Sequence, residues 1–175
     1  AIEQYRKVAE KEPADLDTWL MLGRLYKVAQ NSVDAEKAYR KALELDPNNE
    51  DAMTGLAMVY ADLGDNKSAS EMLRKVADKS PGMRTLTALA GTYEQMREYA
   101  LAAETLKKAL EFSPGSNPEL TRALAQNLML AERYDEALKV YQDLLAEDPK
   151  DAQSQLRVSQ IYRQKNDFAK AREAS

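Results

Sequence analysis

Apolar residues fall in stripes at helical spacing, separated by short polar breaks. Trp19, Leu22, Gly23 and Tyr26 share one helical face, and Ala35, Tyr39, Ala42 and Leu43 share the next. Gln30-Asn31-Ser32 lies between them. The same two-stripe pattern then recurs, with breaks at Gly64-Asp65-Asn66, Arg97-Glu98, Glu132-Arg133 and Lys165-Asn166-Asp167. Pro13, Pro47, Pro81, Pro114 and Pro149 follow the second stripes, where the missing N–H and the fixed φ stop a helix. Asn117-Pro118-Glu119 reads as a helix start, with a capping side chain, a proline in the first turn and an acid at the positive dipole end. The pattern predicts eleven helices: a lone second helix, four helical hairpins, then a first helix and part of another.

The spacing is periodic. Successive prolines stand 34, 34, 33 and 35 residues apart, with only Pro118 out of series. Ala1, Ala35, Ala69, Ala102, Ala137 and Ala171 step in register with them, and so do Tyr26, Tyr60, Tyr93, Leu128 and Tyr162. Three columns that share one deletion and one compensating insertion define a repeat. A second set, Gly23, Ala57, Ala90, Ala125 and Ser159, is small throughout, as close approach of paired helices requires. A single hairpin cannot bury its apolar face alone, so neighbours must stack. The expected division is one domain over 1–175. Residues 1–15 form a second helix, 16–49, 50–82, 83–117 and 118–151 form whole repeats, and 152–175 form a partial one.

These residues resemble the tetratricopeptide repeat family. Trp19-x2-Leu22-Gly23-x2-Tyr26, followed by Ala35, Tyr39, Ala42 and Pro47, fills the motif. Later repeats keep Leu56, Ala57 and Tyr60, then Leu89, Ala90 and Tyr93, then Leu124, Ala125 and Tyr141, while Thr121 and Gln155 stand in the Trp column. The resemblance implies an all-α, right-handed superhelix of antiparallel helix pairs, an α-solenoid. Its first helices would line a concave groove that binds peptides or folded partners without catalysis. Members that clamp a chaperone's C-terminal carboxylate place Lys and Asn four apart on a first helix. The pairs here are Leu20/Arg24, Thr54/Met58, Thr87/Gly91 and Arg122/Gln126, and only the last is chemically similar. The Asn ladder of members fused to sugar transferases is absent from the corresponding columns.

Residues off the apolar stripe of each first helix are the expected groove positions. They are Asp17, Leu20, Arg24 and Lys27; Asp51, Thr54, Met58 and Asp62; Arg84, Thr87, Gly91 and Glu94; Glu119, Arg122, Gln126 and Met129; then Gln153, Leu156, Gln160 and Arg163. Leu20, Met58 and Met129 would anchor an amphipathic peptide or helix, and Thr54, Thr87 and Gly91 would leave room for it.

Composition removes other chemistries. The 175 residues include no Cys and no His, so thiol nucleophiles, cysteine zinc sites and the commonest general base are excluded. Six scattered Gly form no phosphate loop, and carboxylate pairs such as Asp135/Glu136 read as solvated helix ends. A net charge of −4 argues against nucleic acid, and no apolar run approaches the roughly 20 residues of a membrane span. Charge is uneven: residues 118–151 carry four basic and eight acidic side chains, whereas 152–175 carry five basic and two acidic. No catalytic residue, cofactor or metal ligand is expected. Both ends read as cut from a longer protein, so the missing leader says little about compartment, and weak end-to-end self-association through truncated repeats is expected. The sequence thus predicts an interaction scaffold of a bacterial multiprotein assembly. The alternative is a regulatory or substrate-recruiting arm of a larger enzyme.

Overall fold

A computed structural model describes residues 1–165, and ten helices with their connecting turns account for those residues. The eleventh expected helix, Asp167 to Ser175, lies outside the described residues. In chain order the helices are α1 (Ile2–Lys11), α2 (Leu16–Val28), α3 (Ser32–Leu45), α4 (Glu50–Asp62), α5 (Asn66–Lys79), α6 (Met83–Gln95), α7 (Tyr99–Glu111), α8 (Pro118–Leu130), α9 (Tyr134–Glu147) and α10 (Ala152–Gln164). No strand occurs among the described residues, and no helix there is long and apolar enough to cross a membrane. The architecture is an all-α helical repeat.

Side-chain caps set many of the helix starts. Asp15, Asn31, Asn49, Asp65, Asn117 and Asp151 each accept a backbone N–H from the first turn they precede, satisfying donors that the helix itself cannot. Asn117 before Pro118 does so from Leu120 at 3.1 Å, as the sequence predicts. The turns joining first to second helices share one device. Gln30, Gly64, Arg97 and Glu132 all have positive φ, between 57° and 84°, at equivalent repeat positions. That single left-handed residue reverses the chain within a short connection.

The chain divides into two compact units, Ala1–Thr92 and Tyr93–Ser175. In the first, α2 packs on α1, α3 and α4, and α4 on α3 and α5. Its core joins Leu20, Ala35, Tyr39, Ala42, Ala52, Leu56 and Val59, with Trp19, Tyr26 and Tyr60 packed at the margin. A second cluster ties Ala9 of α1 to Leu22 and Ala38. Half of these ten buried residues are alanine, because helices at close range leave little volume for longer side chains. In the second unit α8 packs on α7 and α9, and α10 on α9, around buried Leu106, Leu124, Leu128, Tyr141 and Ile161.

One hydrogen bond recurs in different chemistry. Trp19 Nε1 donates to the Pro13 carbonyl at 2.9 Å, pinning the turn that enters α2. Gln155 stands in the Trp column, and its Nε2 donates to the Pro149 carbonyl at 2.8 Å. An amide therefore replaces an indole as the donor to the proline six residues upstream. Thr121 bonds instead to the Asn117 carbonyl inside its own first turn.

Candidate interaction face

In the first unit the expected groove positions of α2, α4 and α6 are joined to one another by charge. Asp51 of α4 accepts from Arg24 of α2 at 2.9 Å and from Arg84 of α6 at 3.0 Å, so one carboxylate links three first helices. Lys27 pairs with Asp62 at 3.0 Å in the same way. Tyr39, from a second helix, lies near enough to this cluster to feel its charges. Burial pushes its phenol pKa up, while Arg24 and Arg84 act against that shift.

Asp17, Arg24, Asp51, Asp62, Arg84 and Thr87 are exposed, and Lys27, Met58 and Gly91 are half-buried. A Cβ on Gly91 would meet nothing within 4 Å, so the space above it is open. Leu20 and Thr54 stand elsewhere. Leu20 is 8% exposed and belongs to the core with Tyr39 and Leu56, because an apolar side chain beside Trp19 gains more from burial than from water. Thr54 is 3% exposed, and its hydroxyl meets that of Thr85 of α6 at 3.5 Å. Neither presents much surface to solvent, which leaves Met58 as the half-buried apolar residue among the expected positions of α4.

In the second unit Arg122 of α8 donates to Glu119 at 3.0 Å and to Asp151 at 3.1 Å. The Asp151 side chain is only 11% exposed and also accepts from the Ser154 hydroxyl at 2.7 Å. The Ser154 hydroxyl first, then its N–H and Arg122, hold the Asp151 carboxyl down at about 2. Asp151 correspondingly raises the Arg122 guanidinium. Tyr141 repeats the Tyr39 arrangement, its phenol raised by burial and close to Arg157, Arg122 and Asp151. Asn127, which sequence reasoning passed over, is buried and donates to Glu94 and to the Ala123 carbonyl. Only its i+33 relation to Glu94, one repeat back, foreshadows that contact.

Glu94, Glu119, Gln126, Gln153, Leu156 and Arg163 are exposed, while Arg122, Met129 and Gln160 are half-buried. Three of the expected residues, Met129, Gln160 and Arg163, line one cleft of about 480 Å³ with Leu130, Glu132 and Tyr134. A smaller cleft of about 230 Å³ lies between α1 and α3 over Trp19, Leu22 and Tyr26. The sequence singled out its floor as core and did not foresee the opening. No cluster of His, Cys, Asp or Glu with metal-holding geometry occurs among the described residues.

Residues 6–105 match the family described as the cytochrome c-type biogenesis protein H TPR domain, and residues 93–157 and 128–174 match the tetratricopeptide repeat. Among curated proteins, the cytochrome c-type biogenesis protein CcmH of Escherichia coli (strain K12) is 38% identical over 74 residues, 41% of this chain and 21% of that protein. The peroxisomal targeting signal receptor of Saccharomyces cerevisiae is 32% identical over 74 residues, 42% of this chain and 12% of the receptor. The chain thus spans about a fifth or less of these relatives. Among solved structures, YrrB, described as a TPR protein with an unusual peptide-binding site, superposes with a TM-score of 0.85 at 24% identity, covering 99% of this chain and 90% of YrrB. A MamA structure gives 0.79 at 19% identity, covering 91% and 87%. At these identities the likeness is one of fold. The motif columns, the ten described helices and a family match over more than half of its length agree: the chain belongs to the tetratricopeptide repeat family.

Proposed function

We propose that this chain is a non-catalytic scaffold that binds a peptide or helix of a partner on the face formed by its first helices, within a multiprotein assembly. Tetratricopeptide repeats mediate protein–protein interaction, and the fold is typically a binding fold. The observation that carries the reading is the cleft between α8 and α10, where Met129, Gln160 and Arg163 meet around a concave, partly apolar space. Met58 and the open space above Gly91 offer a second foothold in the first unit. The family description of residues 6–105 supports c-type cytochrome biogenesis as the process served.

The test is direct titration. Labelled peptides tiled across an apocytochrome c and the other proteins of the source's cytochrome c biogenesis system are added to the chain and read by fluorescence anisotropy. Saturable binding that is lost in Met58→Glu or Met129→Glu, with helical circular dichroism unchanged, supports the face. Binding that survives both substitutions sinks it. The second reading, a recruiting arm of a larger enzyme, uses the same face. It is favoured by the chain's match to only 21% of the CcmH relative, which leaves most of such a protein to do something else.

A further inference from the structure

The cleft between α8 and α10 differs in charge from the rest of the first-helix face. Arg24 and Arg84 share the Asp51 carboxylate, and Arg122 pairs with Glu119 and Asp151. Arg163 instead donates to the Ser159 hydroxyl at 3.2 Å, and Arg157 to the Gln160 side-chain oxygen at 3.0 Å. Both acceptors are neutral, and α10 contains no Asp or Glu. A guanidinium held by a hydroxyl keeps its whole charge and its planar fork for a carboxylate. Beside it lies apolar surface open to solvent. Leu130 is 45% exposed in the cleft lining, and Leu156 is 52% exposed on the α10 face that carries Gln160 and Arg163 at helical spacing. Glu132, in the left-handed turn, is the carboxylate of the lining, and among the described residues it forms no ion pair. Cation and anion therefore stand separately on the cleft wall, and a ligand's polarity is read as well as its apolar bulk.

We propose that this cleft selects an acidic partner peptide, seating one of its apolar side chains against Met129, Leu130 and Tyr134 while a carboxylate within a helical turn of that side chain pairs with Arg163. The inference rests on the binding face proposed above and names the chemistry that face prefers. The apolar lining and the single exposed fork suit a peptide side chain better than a run of phosphates.

The experiment pans short random peptides, displayed on phage, against the full chain and measures the enriched sequences as synthetic peptides. Enriched peptides should carry Asp or Glu within four residues of Leu, Ile, Met or Phe. Arg163→Glu should weaken them about tenfold or more, the scale of one charge-assisted contact. Arg163→Lys should weaken them less, and Glu132→Gln should tighten them. A peptide with its acid changed to Lys should regain affinity for Arg163→Glu, which a merely unfolded variant could not produce. Peptides that lose affinity on Met58→Glu but ignore Arg163→Glu overturn this assignment and leave the broader face standing. Peptides indifferent to both, or no enrichment at all, overturn the two together.

Discussion

The ring of Tyr39 fills the volume that a side chain on Gly55 would need. A Cβ on Gly55 would stand 2.3 Å from Tyr39 Cζ, and one on Gly23 would stand 2.7 Å from the same atom. A second-helix aromatic is thus inserted between the bare backbones of two successive first helices, and its fit depends on both residues lacking a Cβ.

Gly55→Ala should therefore destabilise the protein by about 1–3 kcal/mol despite the better helix propensity of alanine, since the ring has packed neighbours and cannot retreat. Chemical denaturation checks the size, and the double variant Gly55→Ala/Tyr39→Leu should recover part of the loss. A Gly55→Ala protein as stable as wild type would remove the steric account.

The left-handed turn positions should separate by residue type. Gly64 has φ of +84°, so Gly64→Ala should cost about 1 kcal/mol. Glu132→Gly and Arg97→Gly should be neutral to stabilising, because φ near +60° strains a residue that carries a Cβ. Thermal melts of the three variants decide it, and the opposite order would show that those side chains hold their turns by other contacts.

Helix starts were legible because proline, Asn and Asp act locally, and so were the apolar stripes that become the cores. What escaped depends on residues one repeat away. Leu20 and Thr54 share the spacing of the exposed positions, yet Thr54 is covered by α6 and Leu20 sinks toward Tyr39. Gly55 sits in a column otherwise filled by Met21, Ala88, Ala123 and Arg157, so nothing in the period marks it as a seat for an aromatic ring. The linkage of Arg24, Asp51 and Arg84 likewise needs three helices in place before it can be seen. Residue types at the candidate site could be read from the sequence, but their pairing could not.

Gln155→Leu should lower the melting temperature, removing a hydrogen bond worth about 0.5–1.5 kcal/mol to the Pro149 carbonyl. Gln155→Trp should raise it, keeping a donor in the geometry seen at Trp19 and adding apolar area. If both substitutions lower stability equally, the two columns are not interchangeable.

Acid should loosen the link between α8 and α10. The folded Asp151 carboxyl is held at about 2, below its ordinary 3.8, so its contribution is whole above the ordinary value and is lost as pH falls through the folded one. Urea midpoints of wild type and Asp151→Asn should differ near neutrality and converge between about pH 4 and pH 2. A gap that stays constant across that window would mean that the carboxylate's charge contributes nothing.

The bridging of Arg24 and Arg84 by Asp51, with Lys27 on Asp62, also bears on kinetics. With Asp17 counted, the groove positions of the first unit carry three cations and three anions, and such a balanced surface projects little potential beyond a Debye length, so it does not draw a partner from a distance. Encounter with the first unit should proceed at the ordinary, unsteered rate of about 10⁵–10⁶ M⁻¹s⁻¹ and change little with ionic strength. For a partner bound on this face as proposed, discrimination falls to residence time, decided after contact by which segment outcompetes the protein's own carboxylates.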